Sequence, residues 1–406
     1  MKVLSLFDGI SCGMVALERA GIPVERYVAY EIDKYAIQVS EKNYPQIEHC
    51  GDVFDGDYTE YQGFDLLIGG SPCTYWSIAR NNREVTPDGL GGKLFMQYVR
   101  ALKESKCKYF LYENNYSIHK DIKIFISEQL GVEPIMINSS LVSAQQRKRC
   151  YWTNIPNVRQ PNDKGVLLKD ILQSGLDLTG NDKSYCLTAS YNGAVVFNTI
   201  ERKQRTMIAE PVACAFRGRY NITNSRTKKV EGGTYQAFEA RKDNKSNAVT
   251  TVHKDCMVCE PIRLGHINQS NAQGNRVYSQ QGKSVCLQSQ SGGLGAKTGL
   301  YLCLLNENKQ INKLLVYKVE NGIITIKDKQ YHIALPDGLY IIRKLTPIEA
   351  ERLQTLPDDY TKGVSKTQRY KCIGNGWTVD VIAHILKGIK EVKNNETTLR
   401  TKIRLE

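Results

Sequence analysis

No stretch of this 406-residue chain approaches the length of a membrane span. Neither a P-loop nor a complete GxGxxG turn occurs, which argues against nucleoside triphosphates and NAD as ligands. The first residues, Met1-Lys2-Val3-Leu4-Ser5-Leu6-Phe7-Asp8, carry one cation and a short apolar run closed by an acid, so they do not read as a secretory leader. Twelve cysteines without such a leader are expected to be reduced thiols in a cytoplasmic setting. The single CxxC, Cys256 to Cys259, has His253 nearby but no evident fourth ligand, so these are read as strand-borne thiols and no metal is expected. Acid is in deficit: 42 Asp and Glu against 55 Lys and Arg leave a charge of +13. Such an excess suits a polyanionic partner, nucleic acid before an anionic membrane. What is present in ordinary amounts, 41% apolar and 24% charged residues, describes a globular protein long enough for two cores.

The chain up to about Asn154 alternates strand and helix signals. Val3–Phe7, Tyr27–Tyr30, a short strand ending at Gly51-Asp52-Val53, the run before Gly69, and Tyr109–Tyr112 read as five strands. Helices are expected over Met14–Ala20, stopped by Gly21, and Ala36–Lys42. This alternation predicts an α/β fold with a doubly wound, mostly parallel sheet. From about 160 to 340 Gly, Asn, Ser, Thr and Gln abound. A degenerate repeat (Lys183–Thr188, Lys245–Thr250, Lys283–Gln288) suggests short strands of irregular β structure. Helical signal returns at Thr346-Pro347-Ile348-Glu349, a cap with Pro at the first helical position, and a last helix is expected from about Thr378 to Val392. The expected divisions are 1–158, a smaller domain over 159–340, a return to the first domain over 341–392, and a tail over 393–406.

Gly70-Ser71-Pro72-Cys73 follows the buried-strand run Phe64–Gly69, so Gly and Pro present Cys73 as a nucleophile would be presented. Glu31 and Asp52 end successive strands. Two such carboxylates fit an adenosine, the first on the ribose hydroxyls and the second on the adenine amine. Glu113 ends the fifth strand on the same sheet edge as Cys73. Gln145-Gln146-Arg147-Lys148-Arg149 then supplies amides and cations, a candidate clamp for base and phosphate.

Cys73 after Pro72, Glu113-Asn114, and Gln145-x-Arg147-x-Arg149 resemble the ordered motifs of the DNA (cytosine-5)-methyltransferases. Arg343 to Glu349, Arg352-Leu353-Gln354 and Gly374-Asn375 continue the series across nearly the whole chain. The segments LSLFDGI and IGGSPC are similar to the mammalian de novo enzymes, while the long insert looks bacterial or phage. The resemblance implies the class I S-adenosylmethionine-dependent fold, with S-adenosyl-L-methionine as cofactor and double-stranded DNA as partner. It implies a target-recognition domain in the insert, with Arg202, Lys203, Arg205, Arg217, Arg219, Arg226, Lys228 and Lys229 as a basic stretch. It assigns the nucleophile to Cys73, stiffened by Pro72, recognition of the cytosine N3 edge to Glu113, and the hold on base and phosphate to Arg147, supported by Arg149. Asn375 is assigned to bracing the catalytic loop. Phe7, Asp8, Gly9, Gly13, Glu31, Ile32, Asp52, Val53, Pro72, Asn375 and Trp377 are assigned to the cofactor site. Three departures stand out: Cys12 where many relatives have Gly, Asn115 where Val is usual, and Gly376-Trp377 for a commoner Ser-Val. None touches the nucleophile or the acid.

Two alternatives follow from the same residues: a tRNA cytosine-5 methyltransferase on this fold, and a catalytically silent DNA-binding homologue. The Gly- and Asn-rich insert favours duplex reading over tRNA, and the presence of Cys73, Glu113 and Arg147 opposes the silent form. A monomer is expected, in a bacterial cytoplasm or a phage-infected host, with a cognate restriction endonuclease as a possible partner and no membrane association.

Overall fold

The structure, a computed structural model, describes residues 1–72, 75–76, 83–211, 213–220, 234–240, 257–258, 263–266, 276–278, 310–311, 314–326 and 328–390. The chain forms two compact units. One comprises Met1–Ile171, Asp182–Ala194 and the chain from Leu345 onward; the other comprises Leu172–Asn181 and Val195–Lys344.

The first unit is built on seven strands: β1 (Lys2–Leu6), β2 (Arg26–Tyr30), β3 (Glu48–His49), β4 (Leu66–Gly69), β5 (Tyr109–Asn115), β6 (Ile135–Asn138) and β7 (Lys148–Thr153). Their order is β3-β2-β1-β4-β5-β7-β6. The pairs from β3 through β5 are parallel, and β7 runs antiparallel to both β5 and β6. The doubly wound, mostly parallel sheet expected from the alternation is therefore present. Strand order reverses between β1 and β4, the switch point at which such sheets bind ligands.

Helices α1 (Cys12–Ala20), α2 (Lys34–Asn43), α3 (Leu90–Ser105) and α4 (Lys120–Leu130) cover the sheet, joined by a helix over 379–390. Alternate strand residues feed two cores, as a period of two requires when both faces are buried. Val3, Ile68 and Leu111 meet α1 residues Ala16 and Leu17 and Ile382, Ile385 and Leu386 of the last helix. Leu4, Leu67, Phe110 and Tyr112 meet Phe95, Tyr98 and Ile122. Gly21 ends α1 in the left-handed region at φ 66°. Its N–H donates to Glu18, and Ile22 donates to Leu17, a Schellman closure. Thr346 and Glu349 form a reciprocal capping box on the Pro347–Leu353 helix, as the sequence signature requires.

Several boundaries move. The third strand ends at His49, so Asp52 stands three residues beyond it. The fifth continues through Asn115, because Glu113, Asn114 and Asn115 pair with Tyr151, Cys150 and Arg149 of β7. The unit boundary expected at 158 lies at Ile171 and the one at 340 lies at Lys344, with Asp182–Ala194 returning to the first unit. Main-chain bonds explain the earlier segments: Lys164 N–H donates to Leu141, and Leu168 N–H to Asp182. Lys183 Nζ further donates to the carbonyls of Ser140 and Ser143, at 2.9 and 3.2 Å. Of the repeat, Lys183–Thr188 makes only one bridge, Ser184 with Gln145; the other two copies lie outside the described residues, as do His253, Cys256 and Cys259.

In the second unit the strand pairs among the described residues are antiparallel. Leu314–Glu320 lies between Ile323–Ile326 and Gly338–Lys344, which in turn pairs with Met207–Pro211. Thr234–Ala240 and Ala213–Tyr220 form a separate ladder. Among the described residues no helix is long and apolar enough to cross a membrane.

Candidate active site

The strand register places the chemistry in one row. Leu6 is level with Tyr30 and with Gly69, and Gly69 is level with Tyr112. The next residues, Phe7, Glu31, Gly70 and Glu113, therefore share the carboxyl edge of the sheet.

The β1–α1 turn is held by an acid. Asp8 Oδ1 accepts from Ser5 Oγ and Tyr27 OH, and Oδ2 from Ser11 Oγ, each at 2.6 Å. Burial, then the Asp8 charge, pushes the Tyr27 phenol well above its usual range, so it stays a donor. These bonds sustain a strained backbone: Phe7, Gly9 and Ser11 all have φ near 60°, which costs a non-glycine residue roughly 1–2 kcal/mol. Asp8 thus organises the turn. Gly13 lets α1 approach β4, since a Cβ there would lie 2.3 Å from Ile68 Cδ1. Gly9 faces open space.

Glu31 accepts three backbone N–H groups at 2.8 Å, from Gly9, Ile32 and Asp33. Burial raises its carboxyl above the usual range despite those donors. Beside it Ile32 is 73% exposed, and Phe54 near Asp52 is 43% exposed, an apolar lining of the kind a flat ring requires. Val53 is buried in the core, its carbonyl taken by Tyr58 and Arg100.

At β4, Ser71 Oγ bonds Tyr112 OH at 2.6 Å, and Asn114 Nδ2 donates to the same hydroxyl at 3.2 Å. This fixes the base of the loop carrying the exposed Pro72. Cys73 itself lies outside the described residues. Glu113 is clamped through both oxygens: Oε1 lies 2.8 Å from Arg149 Nε, and Oε2 accepts from Trp377 Nε1 at 3.0 Å. Gly70 lies directly beneath, since a Cβ there would stand 2.9 Å from Glu113 O and 3.1 Å from Oε2.

The two arginines have other roles than expected. Arg147 is 4% exposed, and its guanidinium donates to the carbonyls of Leu187 (2.8 Å), Gly374 (3.2 Å) and Gly376 (3.0 Å). Both terminal nitrogens of that guanidinium are thereby committed to backbone carbonyls. Arg149, on strand β7 rather than a loop, is the cation beside the acid. Trp377 likewise reaches the acid, a contact the sequence offered no signal for. Asn375 is exposed at the C-terminal end of the Lys366–Asn375 helix.

Sequence reading also missed the buried amide network behind Arg147. Gln145 Nε2 donates to Leu353 O (2.7 Å) and Gln354 Oε1 (2.8 Å), while Gln354 Nε2 donates to Ile373 O (2.9 Å) and Gly376 O (3.1 Å). Thr378 Oγ1 donates to Gln354 Oε1 and accepts from Ser139 Oγ. A Cβ at position 376 would stand 3.2 Å from Cys12 Sγ and 3.3 Å from Cys372 O, so glycine there lets the backbone lie close to both.

Cys186 adjoins both arginines, with Arg147 Nη1 3.5 Å from its sulfur. Burial pushes its thiol up, but the two guanidinium groups outweigh this and lower it below its usual range. Burial pushes Cys12 and Cys372 up to about 12. Iodoacetamide at pH 7 is therefore expected to alkylate Cys186 at least tenfold faster than Cys12 or Cys372 in the folded protein. A Cys186 rate no faster than those of the two buried thiols, read by peptide mass spectrometry, would overturn this.

Of the basic stretch, Arg202 lies over the Phe197 ring at 5.2 Å; Arg226, Lys228 and Lys229 lie outside the described residues.

The chain is 26% identical to the orphan methyltransferase M.SPRI of Bacillus phage SPR, over 95% of this chain and 97% of that protein. It is 30% identical to the orphan methyltransferase M.Rho11sI of Bacillus phage rho11s, over 74% of this chain and 60% of that one. The fold is similar to that of the Entamoeba histolytica methyltransferase EhMeth, at a TM-score of 0.54 and 12% identity over 97% and 98% of the two chains. It is also similar to a mutant DNMT2 of Spodoptera frugiperda, at 0.53 and 15% over 95% and 98%. The family model of the C-5 cytosine-specific DNA methylases matches residues 1–391. With that match across nearly its whole length, the chain belongs to this family and is a DNA (cytosine-5)-methyltransferase.

Proposed function

We propose that the protein methylates C5 of a cytosine flipped out of duplex DNA, using S-adenosylmethionine and a transient bond from Cys73 to C6. The observation that carries this reading is the clamped Glu113, held by Arg149 and Trp377 one strand from the segment leading to Cys73. Cytosine C5 is a poor nucleophile. Addition of the Cys73 thiolate to C6 forms a C–S bond and pushes an electron pair into the ring toward N3, making C5 electron-rich. Glu113 binds the N3 and exocyclic amine edge, and Arg149 places positive charge beside the developing anion. After methylation, loss of the C5 proton returns its electron pair to the ring and expels the Cys73 thiolate. These atoms are unreachable inside a duplex, so the base must leave the stack.

The fit to the cofactor rests on the open space at Gly9, the exposed Ile32 and Phe54, and the carboxylates of Glu31 and Asp52. Three N–H donors on Glu31 leave roughly one of its four acceptor positions for a ribose hydroxyl. S-adenosylmethionine supplies an electrophilic methyl group on its sulfonium. Phe7 and Ile32 would pack the adenine and Asp52 would accept from its amine. Target reading is assigned to the insert, whose cations neutralise phosphates while other side chains reach base edges. The orphan relatives support a modification role without a cognate endonuclease.

Duplex DNA carrying 5-fluorocytosine tests the mechanism, because fluorine cannot leave C5 as the proton does. Wild-type protein with cofactor is expected to give an adduct that survives denaturation. Cys73→Ser should give none while still binding cofactor. Near wild-type turnover by Cys73→Ser would overturn the assignment, and plasmid DNA against tRNA in one assay decides the substrate.

A further inference from the structure

A cavity of about 910 Å³ lies away from the strand-end row, bordered by α1, the helix over 379–390 and the 157–164 segment. Arg19 enters it from the last turn of α1, the end remote from the Asp8 turn. Arg159, Lys164 and Lys387 supply three more cations, and Asp380 is the one acid in the lining. Both Asp380 oxygens are taken, by Arg19 Nη1 and Lys164 Nζ at 2.6 Å each. Arg159 and Lys387 have no carboxylate partner among the described residues.

The walls are built. Gln160 Nε2 donates to Met136 O at 2.6 Å, the His384 ring bonds Arg159 O at 2.8 Å, and Lys164 N–H donates to Leu141. A Cβ at Gly388 would stand 2.4 Å from Pro156 O, so the segment entering the wall lies tight on the helix. Four cations and one acid in the lining leave an excess of three positive charges in a concave space. Like charges are held together at a cost in self-repulsion, which a bound polyanion would relieve. The volume is that of a nucleotide-sized ligand.

We propose that this groove binds clustered phosphate, with Arg159 and Lys387 as the contacting cations and the Arg19–Asp380–Lys164 group as its floor. Free nucleotides and phosphorylated strand ends share this chemistry. Inorganic tripolyphosphate, which has no base or ribose for the adenosine site, is the probe, titrated calorimetrically at low salt. One molecule is expected to bind per chain. The Arg159→Ala/Lys387→Ala double variant should weaken that binding at least tenfold with methyl transfer unchanged, and Arg149→Ala should leave it intact. Competition by a nucleoside triphosphate against a 5′-phosphorylated oligonucleotide then identifies the source. Absence of binding, or binding that survives the double substitution, overturns the proposal.

Discussion

Arg149→Ala is expected to lower methyl transfer by about 10²–10³-fold while leaving the melting temperature close to that of the wild type. Arg147→Ala is expected to unfold the protein at a much lower temperature. Arg149 contributes one charged donor to Glu113 at the sheet edge, and losing a preorganised donor beside a developing charge costs that much in rate. Arg147 contributes nothing at that edge. Its removal orphans the buried carbonyl of Gly374 and leaves that of Leu187 only the weak Cys186 thiol donor at 3.7 Å, while Gly376 keeps its bond from Gln354. The unsatisfied carbonyl alone costs about 1–3 kcal/mol. Thermal unfolding and single-turnover rates on both variants would separate the roles. Equal loss of stability in the two would mean that Arg149 is also a structural brace.

Gly70→Ala is expected to cut the rate about a hundredfold without weakening cofactor binding. The added methyl would meet the Glu113 carbonyl at 2.9 Å and its carboxylate at 3.1 Å. Backbone cannot yield as a flexible side chain can, so β4 and β5 must separate by some tenths of an ångström and Glu113 must move. Misplacing a reacting group by even 1 Å costs about 10² in rate. The Glu31 side of the site, two strands away across β1, is untouched. Equilibrium cofactor binding together with turnover would check this, and an unchanged rate would show that the acid tolerates displacement.

Much of the site was legible because its marks are local. The near-continuous apolar runs Val3–Leu6 and Leu66–Ile68 declare strands buried on both faces. Gly21 and the Thr346–Glu349 box declare helix ends through their own backbone needs. The end of β5 was less legible, since Glu113-Asn114-Asn115 is polar and reads as a turn. Only pairing with β7 extends the strand, and that partner lies about forty residues on.

The alternation of strands and helices, the family's ordered residue types and the edge on which Glu31, Pro72 and Glu113 fall were legible in the sequence itself, because periodicity and turn chemistry act over a few residues. Which arginine serves the acid was decided by tertiary structure. Arg147 and Arg149 have the same charge and stand two residues apart, and neither shows a local preference. The carbonyls that capture Arg147 come from positions 40, 227 and 229 residues away. Only folding brings those orphan acceptors together, and burying them without a donor would cost more than sequestering one guanidinium among them.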